Sequence, residues 1–424
     1  MRMERYREYK DSGVQWLGEI PSHWKCTPIR RIAQVNPLRK KRLEADDIVG
    51  YAPMDRIRCD KMKPTIIKVS KLTSGLTYCE VGDIVLAKVT PCFENGNVAI
   101  VPDVENGCCY GSSELFVFRA KPIVDTRFLF YTFLNKGFID AGASTMRGTG
   151  GLKRVTTEYA SNAPTPLPPK EEQHSIVSYL DTKCSRIETL LSNKEKDISL
   201  LQEMKQRVIA DAVTRGLNPK VKFKSTNIPW LPEIPDHWEM SKVSSHFRQR
   251  NEKVSDKEYR PLSVSKMGVT PQLDNVALSN AEGNSRKLVK VGDYAVNSRS
   301  DRKGSCGVSQ YEGSVSLITI VLEPFDIDGG YVHYLFRSNP WIEEFYRNGR
   351  GIVADLWTTN YQMMKGMYLP IPPLSEQHAI VSYITERAAK IDSLIEKLNK
   401  EIECIKEYKQ RLISDVVTGQ IKIL

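Results

Sequence analysis

Two histidines stand in matched phrases, His174 in "PLPPKEEQHSIVSYL" (166–180) and His378 in "PIPPLSEQHAIVSYI" (370–384). A general base needs a proton to take within hydrogen-bond reach. Both imidazoles open an apolar helical run with no activated nucleophile repeated beside them, so they read as structural or partner contacts. The nine cysteines (26, 59, 79, 92, 108, 109, 184, 306 and 404) share no spacing, form no Cys-x-x-Cys pair and are odd in number. With six histidines in no His-x-x-x-His ladder, they read as reduced, partly buried thiols, and no metal ligand is assigned. "RGTGG" lacks the Gly-Lys-Ser/Thr of a phosphate loop. "GRGIVA" (349–354) matches Gly-x-Gly-x-x-Ala, but that fingerprint should follow a strand and "NPWIEEFY" before it reads as a helix end. No Asn-Pro-Pro-Tyr-like step of an amino-methyltransferase occurs, nor a nuclease Asp…Glu-x-Lys constellation. The chain is built to bind rather than react, and no catalytic residue is assigned.

The binding chemistry lies in polar, basic loops: "RCDKMKPT" (58–65), "KVTPCFENGN" (88–97), "MRGTGGLKR" (146–154), "NSRSDRKGS" (297–305) and "RNGRG" (347–351). Any one of them reads equally well as a solvated loop. The two Gly-Arg loops stand at matching places, each after a helical pattern and before a Thr-Thr-x-Tyr step, "TTEY" (156–159) and "TTNY" (358–361).

The elements holding these loops come in duplicate. "QWLGEIPSHW" (15–24) returns as "PWLPEIPDHW" (229–238), keeping Trp16/Trp230, Glu19/Glu233, Pro21/Pro235, His23/His237 and Trp24/Trp238, and "VGD" recurs at 81–83 and 291–293. The chain is an internal duplication whose joints stay alike while its middles have drifted. "CEVGDIVLAKV", "SELFVFRA", "VGDYAVNS" and "SVSLITIVLE" predict strands; "TRFLFYTFLNKGFIDAG" and "GYVHYLFRSNPWIEEFY" predict helices after them.

After each Pro-Pro step, positions spaced by four and three predict a long coiled-coil helix. The seam holds Leu180, Ile187, Leu191, Ile198, Leu201 and Val208 in the first copy. In the second it holds Ile384, Ile391, Ile395, Leu398, Ile402, Ile405, Leu412 and Val416. Cys184, Ala212 and Ala388 complete its apolar positions; Lys194, Lys205 and Lys409 interrupt it and are expected to mark where partners reach in. Glu171, Glu172 and Glu376 suit the positive end of each helix dipole, and Gly216 and Gly419 stand where the helices should stop. Chain connectivity favours antiparallel pairing, because the second globular region then bridges only a short gap. The predicted fold is α+β: two similar mixed α/β domains (1–170 and 217–373) separated by a long antiparallel two-helix coiled coil (171–216 and 374–424), with pseudo-twofold symmetry.

Each helix stretch (171–216 and 376–418) carries eight acids and seven bases, so the chain's net +10 becomes +12 outside them. Two basic domains on a symmetric frame suit duplex DNA, itself a pseudo-twofold polyanion. The N-terminus "MRMERYREYKDSG" has no apolar core and no stretch reaches the length of a membrane span, which points to the cytoplasm and no membrane partner.

Repeated Pro-x-Pro-Pro-x-x-Glu-Gln before a long helix, with "WLGEIPSHW"-type starts, resembles the specificity subunit of type I restriction-modification systems over nearly the whole chain. "NSRSDRKGSCGVSQYEGSVS" (297–316) resembles a motif common in that family's second half. The resemblance implies that each domain is a target-recognition domain reading one half of a bipartite double-stranded DNA site. It implies that the helices set the gap and dock two modification subunits, adenine-N6 methyltransferases, which restriction (translocase/endonuclease) subunits join. S-adenosylmethionine, ATP and Mg would then belong to those partners, and this chain would bind no cofactor and catalyse nothing itself. Base or phosphate contacts are expected from Lys88, Asn95, Arg147, Lys153 and Arg154 in the first domain, and from Asn297, Arg299, Arg302, Lys303, Arg347 and Arg350 in the second. Two other readings are a coiled-coil protein scaffold that binds no DNA, marked by salt-insensitive partner binding, and a DNA enzyme with a cryptic site, marked by activity of the chain alone.

Overall fold

"VGD" recurs because each copy makes the same turn. Gly82 (φ 85°) and Gly292 (φ 91°) occupy the left-handed region that glycine enters without steric cost. The aspartate then closes the turn on the backbone: Asp83 Oδ2 accepts the Glu80 N–H and Asp293 Oδ2 the Lys290 N–H, both at 2.8 Å. Each buried carboxylate also holds an arginine by two hydrogen bonds, Arg119 on Asp83 and Arg250 on Asp293. Pairing with Asp83 raises the Arg119 pKa further above its ordinary value, although burial opposes it.

A computed structural model describes residues 4–39, 42–58, 60–149, 151–272, 285–351 and 357–423. Cys59, Gly150 of the first Gly-Arg loop and residues 352–354 of the Gly-x-Gly-x-x-Ala stretch lie outside them. The chain divides into two compact units, Met1–Lys194 with Lys400–Leu424, and Glu195–Asn399.

In the first unit an antiparallel sheet runs in the order Val98–Ile100, Ile84–Ala87, Leu115–Ala120, Ala33–Val35. Ile84, Val85, Leu86 and Ala87 are all buried because both faces of this sheet are covered. Val85 and Val117 face a second sheet (Thr65–Lys68, Ile48–Ala52, Cys108–Gly111, Thr77–Glu80), in which Ile48–Ala52 and Cys108–Gly111 pair in parallel. Phe118 packs on Phe133 of a helix at 4.6 Å between centroids. The second unit repeats the first sheet's order with Cys306–Val308, Tyr294–Asn297, Thr319–Pro324 and Phe247–Arg250.

The stretch 126–142, apolar enough to pass for one helix, is two: Thr126–Phe133 and Lys136–Ser144. Asn135 accepts the Phe138 N–H and starts the second as its N-cap. Its counterpart splits likewise into Gly329–Leu335 and Asn339–Arg347, with Pro340 in the first turn.

The long helices cover Lys170–Arg215 and Leu374–Val417. In the first unit they are antiparallel, with Lys194 on Glu401 and Glu188 on Lys409; in the second, Lys205 meets Asp392 while Ile209 and Val213 pack with Ile380 and Ile384. Leu180, Ile187, Leu191, Ile384, Ile391, Ile402, Leu412 and Val416 are buried, and Ile198, Leu201, Val208, Ile395, Leu398 and Ile405 are half-buried. All three seam lysines are taken up by an acid on the facing helix. Glu188 and Asp392 are the same position in the two repeats, as are Lys205 and Lys409, so one ion pair occurs twice.

Candidate nucleic-acid interface and the joints that carry it

The repeated phrases answer each other in space. At the start of the first long helix, Glu172 takes a hydrogen bond from Trp24 Nε1 (2.9 Å) and one shared with His23 Nε2 (2.6 Å). At the start of the second, Glu376 takes the same pair from Trp238 (3.1 Å) and His237 (2.8 Å). Burial alone would raise the Glu172 pKa, but hydrogen bonds from Trp24, His23 and Tyr6 outweigh it and hold it below the ordinary value. The next residue, Gln173, accepts the Asp125 N–H (2.7 Å) and donates to the Pro168 carbonyl (2.9 Å). Gln377 does the same with Asp328 and Pro372, at 2.9 Å each. Asp125 and Asp328 are themselves N-caps of the domain helices, and His174 and His378 lie 3.5 and 3.6 Å from their carboxylates. Glu-Gln-His is therefore a three-residue clasp between a domain and its long helix.

The basic side chains expected at the interface gather in each unit around one small backbone junction. In the first, Arg154 bridges both Val89 and Arg147, Val155 N–H donates to the Lys88 carbonyl and Thr90 N–H to the Lys153 carbonyl. Asn95 is exposed in the turn just after, its N–H donating to the Pro91 carbonyl. In the second, Thr358 bridges both Arg299 and Arg350, and Thr359 N–H donates to the Ser298 carbonyl. Tyr346, beside Arg347, ties this junction to the Asn297 and Arg302 carbonyls. Each unit thus brings its own set together.

Their charges are not equally available. Arg154 is held by Glu114 at 2.8 and 2.9 Å, and Arg299 by Asp301 at 3.0 and 3.1 Å. Lys303 pairs with Glu343, Arg347 with Glu344, and Arg302 lies 3.7 Å from Asp301. Lys88 sits over the Phe116 ring, and Asn297 Oδ1 accepts the Arg299 N–H. Among the described residues, the exposed side chains of Arg147, Lys153 and Arg350 have no hydrogen-bond or ion-pair partner. No group of three or more His, Cys, Asp and Glu among the described residues could hold a metal ion, and no described helix is long and apolar enough to cross a membrane.

A second exposed feature went unread in the sequence. Away from the seam, Leu190 and Tyr408 in the first unit, and Leu200, Met204 and Leu394 in the second, are 45–62% exposed. Leu190 matches Leu394 and Met204 matches Tyr408 in the repeat. Tyr179 and Tyr383 match too, each under a cation, Lys183 and Arg387, at 5.6 and 5.5 Å. The signal was a second apolar spacing on each helix beside the seam.

Residues 21–198 match the type I restriction modification DNA specificity domain. The EcoAI specificity subunit of Escherichia coli is 34% identical over 236 residues, 54% of this chain and 37% of the relative. A putative type I restriction enzyme specificity subunit, MjaX, of Methanocaldococcus jannaschii is 25% identical over 96% of both chains. The chain thus spans little more than a third of the Escherichia coli relative and nearly all of the archaeal one. Among solved structures, a chain from a study of assembly and conformational transition in the type I R-M system superposes with a TM-score of 0.70 at 17% identity, covering 95% of this chain and 99% of that one. The HsdS subunit of Thermoanaerobacter tengcongensis gives 0.50 at 19% identity, covering 95% and 98%, and at these identities both likenesses concern the fold. The chain thus carries a type I restriction modification DNA specificity domain over residues 21–198, and along nearly its whole length it is similar to a type I restriction enzyme specificity subunit.

Proposed function

We propose that this chain is the DNA-reading, non-catalytic subunit of a type I restriction-modification complex. Each globular domain reads one half of a bipartite duplex site, and the long helices set the unread gap between the halves. The single observation that carries this reading is the basic junction built twice on the same backbone pattern, with different side chains around it. Two readers of one design with unlike surfaces suit two unlike half-sites in one duplex. The matched apolar patches beside the seam support two copies of one partner, the modification subunit. S-adenosylmethionine, ATP and Mg belong to the partner subunits on this reading, and restriction subunits join the same core. The test is co-expression with the modification subunit encoded beside it, then mapping of adenine methylation in host DNA. A bipartite motif with a fixed gap that vanishes when this gene is deleted is the expected result. Methylation unchanged by the deletion, or a short continuous motif, overturns the reading in favour of a protein scaffold.

A further inference from the structure

The junction in each unit holds two kinds of arginine, and the repeat tells them apart. Arg147 and Arg350 occupy the same place. Each exchanges two backbone hydrogen bonds across its bridge, Arg147 with Arg154 (3.0 and 2.8 Å) and Arg350 with Thr358 (3.2 and 3.0 Å). Their guanidinium groups are exposed and, among the described residues, without an acid. The carboxylate-held arginines do not match. Arg154 sits where the second unit has Thr358, and Arg299 sits where the first has Val89. Each bridge therefore has one arginine braced by an acid through Nε and Nη2, but on opposite sides of it.

Resting on the reading of two half-site readers, we propose that Arg154 and Arg299 each read a guanine, while Arg147 and Arg350 grip the phosphodiester backbone. A residue common to two readers of different sequences serves what both half-sites share, and that is phosphate. A residue found in only one serves what differs. The chemistry agrees with the placement. Bidentate pairing to guanine O6 and N7 needs a guanidinium plane held at a fixed angle, and a carboxylate on Nε and Nη2 fixes that plane while the outer edge of the fork stays able to donate. An unbraced guanidinium is mobile, and a phosphate tolerates many approach angles.

The experiment uses the full chain co-purified with its modification subunit, selected against duplexes with randomised half-sites and titrated in salt. Arg154→Ala is expected to lose preference for one G·C pair in one half-site by about 10- to 100-fold, and Arg299→Ala one in the other half. Glu114→Gln, which leaves Arg154 in place but unbraces it, weakens the preference at the position that Arg154→Ala affects. Arg147→Ala and Arg350→Ala weaken every duplex alike and flatten the slope of log affinity against log salt by about one unit each. The proposal is overturned if Arg154→Ala or Arg299→Ala weakens matched and mismatched duplexes equally, or if Arg147→Ala shifts a base preference. A wild-type complex with no bipartite preference at all sinks the underlying function as well, which separates the two failures.

Discussion

In the first unit Phe130 and Leu134 occupy the helix positions held by His333 and Arg337 in the second. There the docking onto the long helices is closed: Arg127 and Tyr131 both hydrogen-bond Asp181, and Gln410 donates to the Leu134 carbonyl. The second unit keeps the tyrosine, but Tyr334 meets Thr385 in place of the aspartate, beside an open cleft lined by Lys266, His333, Arg337 and Ala388. The clasp a few residues away pairs the same residue types in both, although Glu172 divides its histidine and tryptophan over two oxygens and Glu376 takes both on Oε2. Direction is set by the clasp, so its chemistry is kept. The flank below it only has to fill space, and there apolar packing and a polar cleft serve equally.

If the clasp fixes each joint, removing its tryptophan is the largest way to break the likeness. Trp24 and Trp238 are fully buried, so Trp24→Ala and Trp238→Ala should each cost about 3–5 kcal/mol. Hydrogen exchange resolved along the chain is expected to show the loss confined to the unit that carries the substitution. Equal loss of protection in both units would mean that the joints are one structure.

The flank predicts a difference in acid. Burial, with Arg337 beside it, lowers the His333 pKa from 6.5 to about 4, so the folded second unit keeps this imidazole neutral where the unfolded chain would protonate it. The stability this gives is complete above pH 6.5 and is lost as the pH falls through about 4, on the order of 3 kcal/mol by the end of that window. His333→Phe, which copies Phe130, should remove that acid sensitivity. Exchange rates of the second unit measured between pH 7 and pH 4.5 check it, and an unchanged slope in the variant would rule out this histidine.

The helix stops differ more subtly. Gly216 and Gly419 share a left-handed φ of 73° and 74°, so alanine is strained at either. An added methyl at Gly419 would meet the Pro21 ring at 2.5 Å, whereas at Gly216 the nearest atom is Glu376 Oε1, further off at 3.0 Å. Gly419→Ala should therefore cost about 2–3 kcal/mol and Gly216→Ala about 1–2 kcal/mol. Thermal unfolding of the two variants would show the order, and a reversed order would place the tighter contact in the second unit.

The duplication and the long helices were legible because both are written as spacing. The split of each domain helix pair was not, since apolar residues run on through Leu134 and one Asn at 135 is enough to restart a helix. Nor were the acids that occupy the basic loops: Arg154 and Glu114, or Lys303 and Glu343, are each 40 residues apart and meet only through the fold. The equivalence of Arg147 and Arg350 was legible only roughly, because the two Thr-Thr-x-Tyr steps are out of register by two: Thr156 caps the helix after the first junction and Asn360 the one after the second. Their lack of an acid was not legible at all. The clasp was half legible: both phrases repeat, but nothing in either says that one grips the other.

The smallest effect is the most direct test of how faithfully the repeat is kept. Lys205–Asp392 and Lys409–Glu188 are one interaction at two places, each a partly buried ammonium on a largely exposed carboxylate. Exposed pairs of this kind contribute roughly 0.2–1 kcal/mol, reduced by salt. Lys194–Glu401 joins the same two helices, but its repeat positions are Leu398 and Asp197, so no twin exists. Double-mutant cycles to alanine should give coupling energies for the twin pairs that agree within about 0.3 kcal/mol and shrink together as salt rises. Asp392 is one methylene shorter than Glu188, which alone could shift the balance between the twins, so the cycles should be repeated with Asp392→Glu. If the twins still disagree once their acids are the same, the surroundings of the two lysines differ. The helix pair would then be symmetric in sequence spacing but not in the field its charges feel.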